Sequence, residues 1–419
     1  MSGNLWAASC AEDVPSVSLS GDHSADLVII GGGFTGCAAA LEAVQAGATV
    51  IVLEAQTVGH GGSGRNVGLV NAGLWLPPDQ VEQVMGQEAG ARLNAALADG
   101  PKQVFDLVER FGIQCEATRT GTLHCAHAPK GMDDLRERHR QQAARHAPVS
   151  LLEADPARAR LGSERIHGAL HDARAGTVQP MGYVRGLARA AVGLGALVAE
   201  GAPVSAILRD GDGWQVDFKG GQVRAGALLL ATNAYHQPAK GADLPPLTPV
   251  HFFQLATAPL SSNVAGSILP QGEGAWDTGL VMTSYRKDAA GRLILGAMGK
   301  PDAVGLHRAW ARRAMARLFP QVGDVDLTHF WSGRIGMSAD KIPKVLRIAP
   351  GGLAVFGYSG RGIAPGTVLG RACARALLSG DESDLPLAPV DRHDESWTAL
   401  RGLYYETGAR VLHGLGARL

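Results

Sequence analysis

From Asp26 to Asn71 the chain reads DLVIIGGGFTGCAAALEAVQAGATVIVLEAQTVGHGGSGRNVGLVN, and this stretch constrains the fold more than any other. The apolar run Leu27 to Ile30 has the length and content of a buried parallel strand. It enters Gly31-Gly32-Gly33-Phe34-Thr35-Gly36, so Gly31, Gly33 and Gly36 stand at GxGxxG spacing. An alanine-rich helix comes next, and a second β run, Thr49 to Leu53, ends on Glu54. Each part has a mechanical reason. Gly31 permits the tight turn, Gly33 admits a pyrophosphate against the backbone, and Gly36 lets the helix lie close to the strand. The pyrophosphate would sit at the helix N-terminus, beside the N–H groups of Phe34 and Thr35. Glu54, about twenty residues on, is placed to accept hydrogen bonds from an adenosine ribose. A lone GxGxxG is a weak signal. Strand, glycines, helix, strand and terminal acid in register predict a dinucleotide site rather than a turn that binds nothing.

The remaining composition bounds the partners. At 419 residues the chain exceeds one hydrophobic core, which predicts two interleaved domains. Lys+Arg and Asp+Glu both number 39, so no overall field draws it to nucleic acid or anionic lipid. The basic helix Asp133 to His146 interleaves its arginines with glutamate and glutamine and reads as a solvated face. Cys10, Cys37, Cys115, Cys125 and Cys373 are odd in number and include no CxxC pair, which predicts free thiols in a reducing, cytoplasmic setting. Neither a signal peptide nor a membrane span is expected. His124, Cys125 and His127 fall on a short strand whose alternation separates neighbours, so no metal site is expected there.

Along the chain, residues 1–24 read as an extended surface arm. Segments 25–76, 165–240 and 331–385 read as a discontinuous Rossmann-like α/β domain. Segments 77–164 and 241–330 read as an inserted substrate domain built on an antiparallel sheet. Residues 386–419 read as an amphipathic C-terminal helix, with Trp397, Leu400, Leu403 and Tyr404 packing on the nucleotide domain.

The residues after Glu54 separate the dinucleotides. A NAD unit moves promptly into its next helix, whereas here Ala55 leads into a long glycine-rich loop. Gly62, Ser63, Gly64, Arg65, Asn66, Gly68 and Leu69 could wrap the middle of an extended cofactor, Arg65 offering its guanidinium to phosphate. FAD is long enough to need such a loop. Val204 and the end of ALLLATNAY, with Ala231, Thr232 and Asn233, would deliver a sheet edge to the same cofactor. Near the C-terminus, Gly357, Tyr358, Gly360, Arg361, Gly362 and Ile363 precede a helix whose positive end would face the flavin pyrimidine.

With these residues in place the chain resembles the D-amino-acid-oxidase-like family of FAD-dependent oxidoreductases, most of all its gamma-glutamylputrescine oxidase and amino acid oxidase branch. The family pattern GGGxTGxxxA stands at Gly31 to Ala40 and LEAxxxGxGxSGRNxG at Leu53 to Gly68. LATNAY stands at Leu230 to Tyr235, WxGRxxxxxDxxP at Trp331 to Pro343, and GYSGxG at Gly357 to Gly362. Leu5-Trp6-Ala7-Ala8 matches as well. The resemblance spans nearly the whole chain and implies a glutathione-reductase-like FAD fold. It implies oxidation of the C–N bond of a secondary or primary amino acid or amine by hydride transfer to flavin N5. Cyclic secondary amino acids such as L-pipecolate or proline analogues come first as substrates, and gamma-glutamylated amines next. A flavin-carrying accessory subunit is the rival reading, and oxygen and a quinone both stand open as electron acceptor. No cysteine matches the sarcosine-oxidase attachment position, so the FAD is expected to be noncovalent.

Among polar candidates, Arg334 matches an arginine that the resemblance makes the substrate-carboxylate anchor, with an ion pair to Asp340 as the alternative. Arg361 stands where the family has histidine, and could serve a flavin carbonyl or a substrate carboxylate. Tyr285 and His251 lie on strands expected to line the substrate side.

Overall fold

The computed structural model describes residues 3–241, 244–301 and 304–416; the first two residues of the expected arm and the last three of the C-terminal segment lie outside it. Two eight-stranded sheets carry the fold. In the first, Gly21–Ile30 runs parallel to Val50–Leu53 on one side and to Gly221–Leu230 on the other. Leu197–Ala199 and Gly352–Phe356 extend it in parallel, and the antiparallel pair Val204–Asp210 and Gly213–Phe218 folds back from Gly221–Leu230. Leu27 to Ile30 are buried on both faces, which is why the run is apolar without alternation. Leu27 and Ile29 meet the helices Phe34–Gln45, Pro180–Gly193 and Ile363–Ser379; Val28 and Ile30 meet Trp214, Val216 and Phe218.

A close turn joins strand to helix. Gly31 has φ +107°, and a Cβ on Gly36 would stand 2.0 Å from the Gly31 carbonyl oxygen, so only glycine permits this approach.

The second sheet runs in the order Leu327–Met337, Thr248–Thr257, Leu293–Met298, Thr283–Lys287, Gly274–Asp277, Thr122–Cys125, Gly168–Asp172, Val149–Glu153. Phe253, Leu255, Tyr285 and Leu295 project from one face onto Trp310 and Phe319. The opposite face turns toward the nucleotide domain. This is the Rossmann-like unit with a second, sheet-based domain that the motifs imply.

Several details differ from expectation. The second sheet is not purely antiparallel, because Gly274–Asp277 pairs in parallel with Thr122–Cys125. Gly168–Asp172 and the whole of Leu327–Met337 belong to it rather than to the nucleotide domain, since cross-strand pairing, invisible in a short run, decides their membership. The N-terminal segment is only partly a surface arm: residues 10–20 are irregular and mostly exposed, but Leu5–Ala8 forms a helical turn with Leu5 and Trp6 fully buried. The C-terminal helix Thr398–Leu415 docks on Thr248–Thr257 and on the helix Leu306–Leu318, not on the nucleotide domain. Its buried residues are Gly402, Ala409 and His413, while Trp397, Leu400, Leu403 and Tyr404 are all exposed.

His413 stacks on Trp310 at 3.8 Å between ring centres, and its Nδ1 lies 2.8 Å from His307 Nδ1. Two neutral rings share that hydrogen bond, one donating and one accepting; protonation of the acceptor removes it. Burial, then the neighbouring His307 and Arg313, holds His413 down at about 3. Its unfolded value is about 6.5. The unfolded chain therefore binds more protons between those values, so this stabilisation is complete above about pH 6.5 and drains as pH falls toward 3. Guanidinium midpoints should decline from about pH 7 to about pH 4, and His413→Phe should flatten part of that slope.

Candidate functional site: an FAD cradle beneath a substrate-facing sheet

A cavity of about 1030 Å³ lies between the two sheets and is lined by residues from both. Its nucleotide-domain wall contains Gly31, Gly33, Phe34, Thr35, Glu54, Ala55, Gly62, Ser63, Asn66, Leu69, Val204, Ala231, Thr232 and Asn233. Tyr358, Gly360, Arg361, Gly362 and Ile363 line the same cavity. The chain thus brings most of the expected cofactor residues to one place.

The cradle fits FAD on its own geometry. Gly33 itself offers no side chain to cap Phe34–Gln45, and no acid stands in the first turn, so the helix end keeps its positive character. A Cβ on Gly33 would lie 2.9 Å from Ser63 Oγ, whose oxygen already accepts the Phe34 N–H at 3.1 Å. Ser63 therefore fills the space on that side of the turn, and only glycine at position 33 leaves room for it. Glu54 is fixed by accepting the Gly32 N–H at 2.7 Å and the Gln56 N–H at 2.9 Å, which leaves its remaining lone pairs for ribose hydroxyls. The 17-residue helix Ile363–Ser379 begins at Gly362, again without a side-chain cap or early acid, so a second positive end faces the cavity. Tyr358 is held by its hydroxyl against Thr35 Oγ1 at 2.7 Å, and Asn233 Oδ1 accepts the Gly357 N–H at 3.0 Å. None of the five cysteines lines the cavity.

Five expected cofactor residues are not in the cavity wall: Gly36, Gly64, Arg65, Gly68 and Gly357. Arg65 is the chemical correction. Its guanidinium donates to the carbonyls of His60 at 2.7 Å and Ser332 at 3.2 Å, so it ties the loop to the second sheet instead of facing phosphate. Gly64 and Gly68 are packing positions, where a Cβ would meet Gly59 O at 2.3 Å and Val178 O at 2.1 Å. Behind them, buried Arg286 donates to Val178 O at 2.5 Å and approaches the carbonyls of Val67 and Gly68. Burial pushes Arg286 down to about 10.

On the substrate side the four polar candidates separate. Tyr285 is buried in the second core and donates to Asp277 Oδ2 at 2.8 Å; its neighbour Ser284 lines the cavity. His251 also lies outside the wall, because the alternation that brings Val250, Phe252 and Gln254 inward turns it away. Arg334 stands opposite His251 in the register, but unlike His251 it still contributes to the cavity wall, beside Ile335 and Met337. Its exposed guanidinium reaches only the rim, 5.2 Å from the Tyr235 ring centre. Asp340 pairs with Lys344 at 2.5 Å and not with Arg334.

Arg361 is different. It is 9% exposed and lies between two indoles, 4.6 Å from Trp75 and 4.9 Å from Trp276. Its Nε has no hydrogen-bond partner, and among the described residues no carboxylate lies within ion-pair distance. Burial first, then Arg138, depresses its pKa to about 9, so the cation persists at neutral pH. Two desolvated cation–π contacts, up to about 2 kcal/mol each, offset part of that burial. Trp75, Trp276, Arg138 and Gln254 carry no motif, and only the fold gathers them.

A Rossmann-like domain, an extended cradle with two helix N-termini, and a second sheet roofing the cavity define a flavoprotein that binds FAD. The chain belongs to the DAO family of FAD-dependent oxidoreductases, whose model matches residues 26–376. It is 32% identical over 372 residues to the probable oxidoreductase OrdL of Haemophilus influenzae, covering 85% of this chain and 84% of that one. It is 28% identical over 383 residues to the gamma-glutamylputrescine oxidoreductase of Escherichia coli, covering 90% and 89%. The crystal structure of glycine oxidase from Geobacillus kaustophilus shares the fold, with a TM-score of 0.73 at 23% identity over 89% of this chain and all of that one.

Replacing Glu54 with Gln should weaken FAD binding about tenfold, the effect of trading a charge-assisted hydrogen bond of ~1.5 kcal/mol for a neutral one. Flavin-fluorescence titration of the deflavinated protein measures it.

Proposed function

We propose that this protein oxidises the C–N bond of an amine or amino acid that carries a carboxylate, with Arg361 as the carboxylate anchor. The observation that carries the reading is the buried guanidinium, without an ion-pair partner among the described residues, in the cavity wall between Trp75 and Trp276. The backbone around Gly31, Gly33, Phe34 and Thr35 would hold the pyrophosphate, Glu54 the ribose, and the Gly360 to Ile363 turn the flavin. Bound FAD supplies a two-electron acceptor. The protein's own part is placement: a guanidinium holds the carboxylate bidentately, and the indoles fix its plane and exclude water. Removal of a hydride and a proton from the amine leaves an imine, which water hydrolyses unless it is cyclic.

Within this class, cyclic secondary amino acids such as L-pipecolate or proline analogues are one candidate group. Gamma-glutamylated amines are the second, and the Escherichia coli relative's name favours them. The FAD is noncovalent in this reading. The free state of all five cysteines supports a cytoplasmic location, and no helix among the described residues is long and apolar enough to cross a membrane. Arg334 at the rim would act on approach rather than as the anchor.

Arg361→Met should raise KM for carboxylate-bearing amines about 100-fold, as expected for losing a buried charge pair of ~2–3 kcal/mol, while the flavin spectrum persists. Arg361→Lys should recover only part, since an ammonium lacks the planar fork. Equal KM values in the wild type and Arg361→Met would remove Arg361 from the site.

A further inference from the structure

Strand register places a row of residues straight across the roof of the cavity. Gln254 pairs with Gly296, Gly296 with Ser284, and Ser284 with Trp276. Directly opposed residues share a face, so Gln254, Ser284 and Trp276 all line the cavity, with Gly296 as a gap between the first two. Gln254 is 4% exposed, and its Oε1 has no hydrogen-bond partner. The carboxamide leans over the gap: a Cβ built on Gly296 would lie 2.2 Å from that oxygen. At the other end Trp276 carries Arg361, and its own Nε1 is also buried without a partner. A buried unpaired acceptor of this kind is destabilising, and a ligand N–H would relieve it. No other group in the row meets that need.

The separation decides what kind of molecule can use both ends. Gly296 and Trp276 are two strand steps apart, about 10 Å at ~4.8 Å per step. An amine and a carboxylate on one carbon lie no more than about 3.5 Å apart. We infer that Gln254 reads an N–H group at the end of the substrate remote from its carboxylate, so that the cavity selects extended amine–carboxylates over compact ones. The inference rests on Arg361 as the carboxylate anchor. Linear ω-amino acids and carboxylates joined to an amide have the required shape. Ser284 would lie beside the connecting chain.

The test compares delta-aminovalerate and gamma-glutamylputrescine with proline, using the FAD-loaded protein without oxygen. The Kd of each comes from the change in flavin absorbance. The wild type should bind both extended ligands more tightly than proline. Gln254→Met, which keeps the volume and removes the acceptor, should reduce that preference tenfold or more. Gln254→Glu, which keeps an acceptor, should retain it. Gly296→Ala gives an independent route, because its methyl displaces the carboxamide without deleting it; the preference should fall here too. A wild type that prefers proline, or an unchanged preference in Gln254→Met and Gly296→Ala, overturns the inference. Failure of the anchor reading is distinct: Arg361→Met would then leave the affinity for all three ligands unchanged. Binding without flavin bleaching would count against the oxidation reading while leaving the selectivity intact.

Discussion

The loop from Gly59 to Gly68 is held by its carbonyl groups, and the rest of the site depends on this. Trp6 Nε1 donates to Asn66 O at 2.8 Å, Trp331 Nε1 to Arg65 O at 2.9 Å, and Asn4 Nδ2 to Gly64 O at 2.8 Å. The donors come from the N-terminal turn and from the second sheet, so one loop is the seam between the two halves of the molecule. Arg286, its guanidinium 5.2 Å from the Trp6 ring, closes the seam from behind. With these carbonyls occupied on one side, Ser63, Asn66 and Leu69 are left facing the cavity. The buried N-terminal turn therefore supports the cofactor cradle although none of its own residues lines the cavity.

Charge is distributed along the cavity in keeping with this division. Among the described residues Glu54 is the only acid in its wall, against the cations Arg138, Arg334, Lys341 and Arg361. Two helix N-termini with no acid in their first turns add to the positive side. In the proposed reading the single acid would serve the ribose hydroxyls, and the cations would serve the phosphates and a carboxylate. Arg138 is partly answered by Asp134 at 2.8 Å, which leaves Arg361 as the buried cation of the wall whose Nε has no hydrogen-bond partner.

Sequence is most legible where function is encoded by contiguous residues. The Gly31 to Gly36 turn, Glu54 and the Gly357 to Gly362 turn are local devices, and their spacing alone specifies their geometry. It is less legible where a position's meaning lies on another strand. Pattern alone puts Tyr285 on the right strand and the wrong face, and a shift of one residue, to Ser284, separates core from cavity. Trp75, Trp276 and Gln254 are isolated residues in β or loop text; their conjunction with Arg361 exists only after cross-strand pairing. Arg65 has the chemistry of a phosphate ligand because guanidinium suits phosphate equally well as carbonyl oxygen, and only the packed loop distinguishes them. Trp397, Leu400, Leu403 and Tyr404 have helical spacing but face outward, since Gly402 against Pro249 and His413 against Trp310 set the docking face instead.

In the proposed reading a carboxylate held by Arg361 presents the substrate amine to FAD. Anaerobic titration of the FAD-loaded protein with amines offered in pairs, each carboxylate-bearing compound beside its decarboxylated counterpart, separates this role from any other. The flavin band should bleach with the carboxylate-bearing member and stay oxidised with the other at the same concentration. Equal bleaching by both members would rule the anchor out.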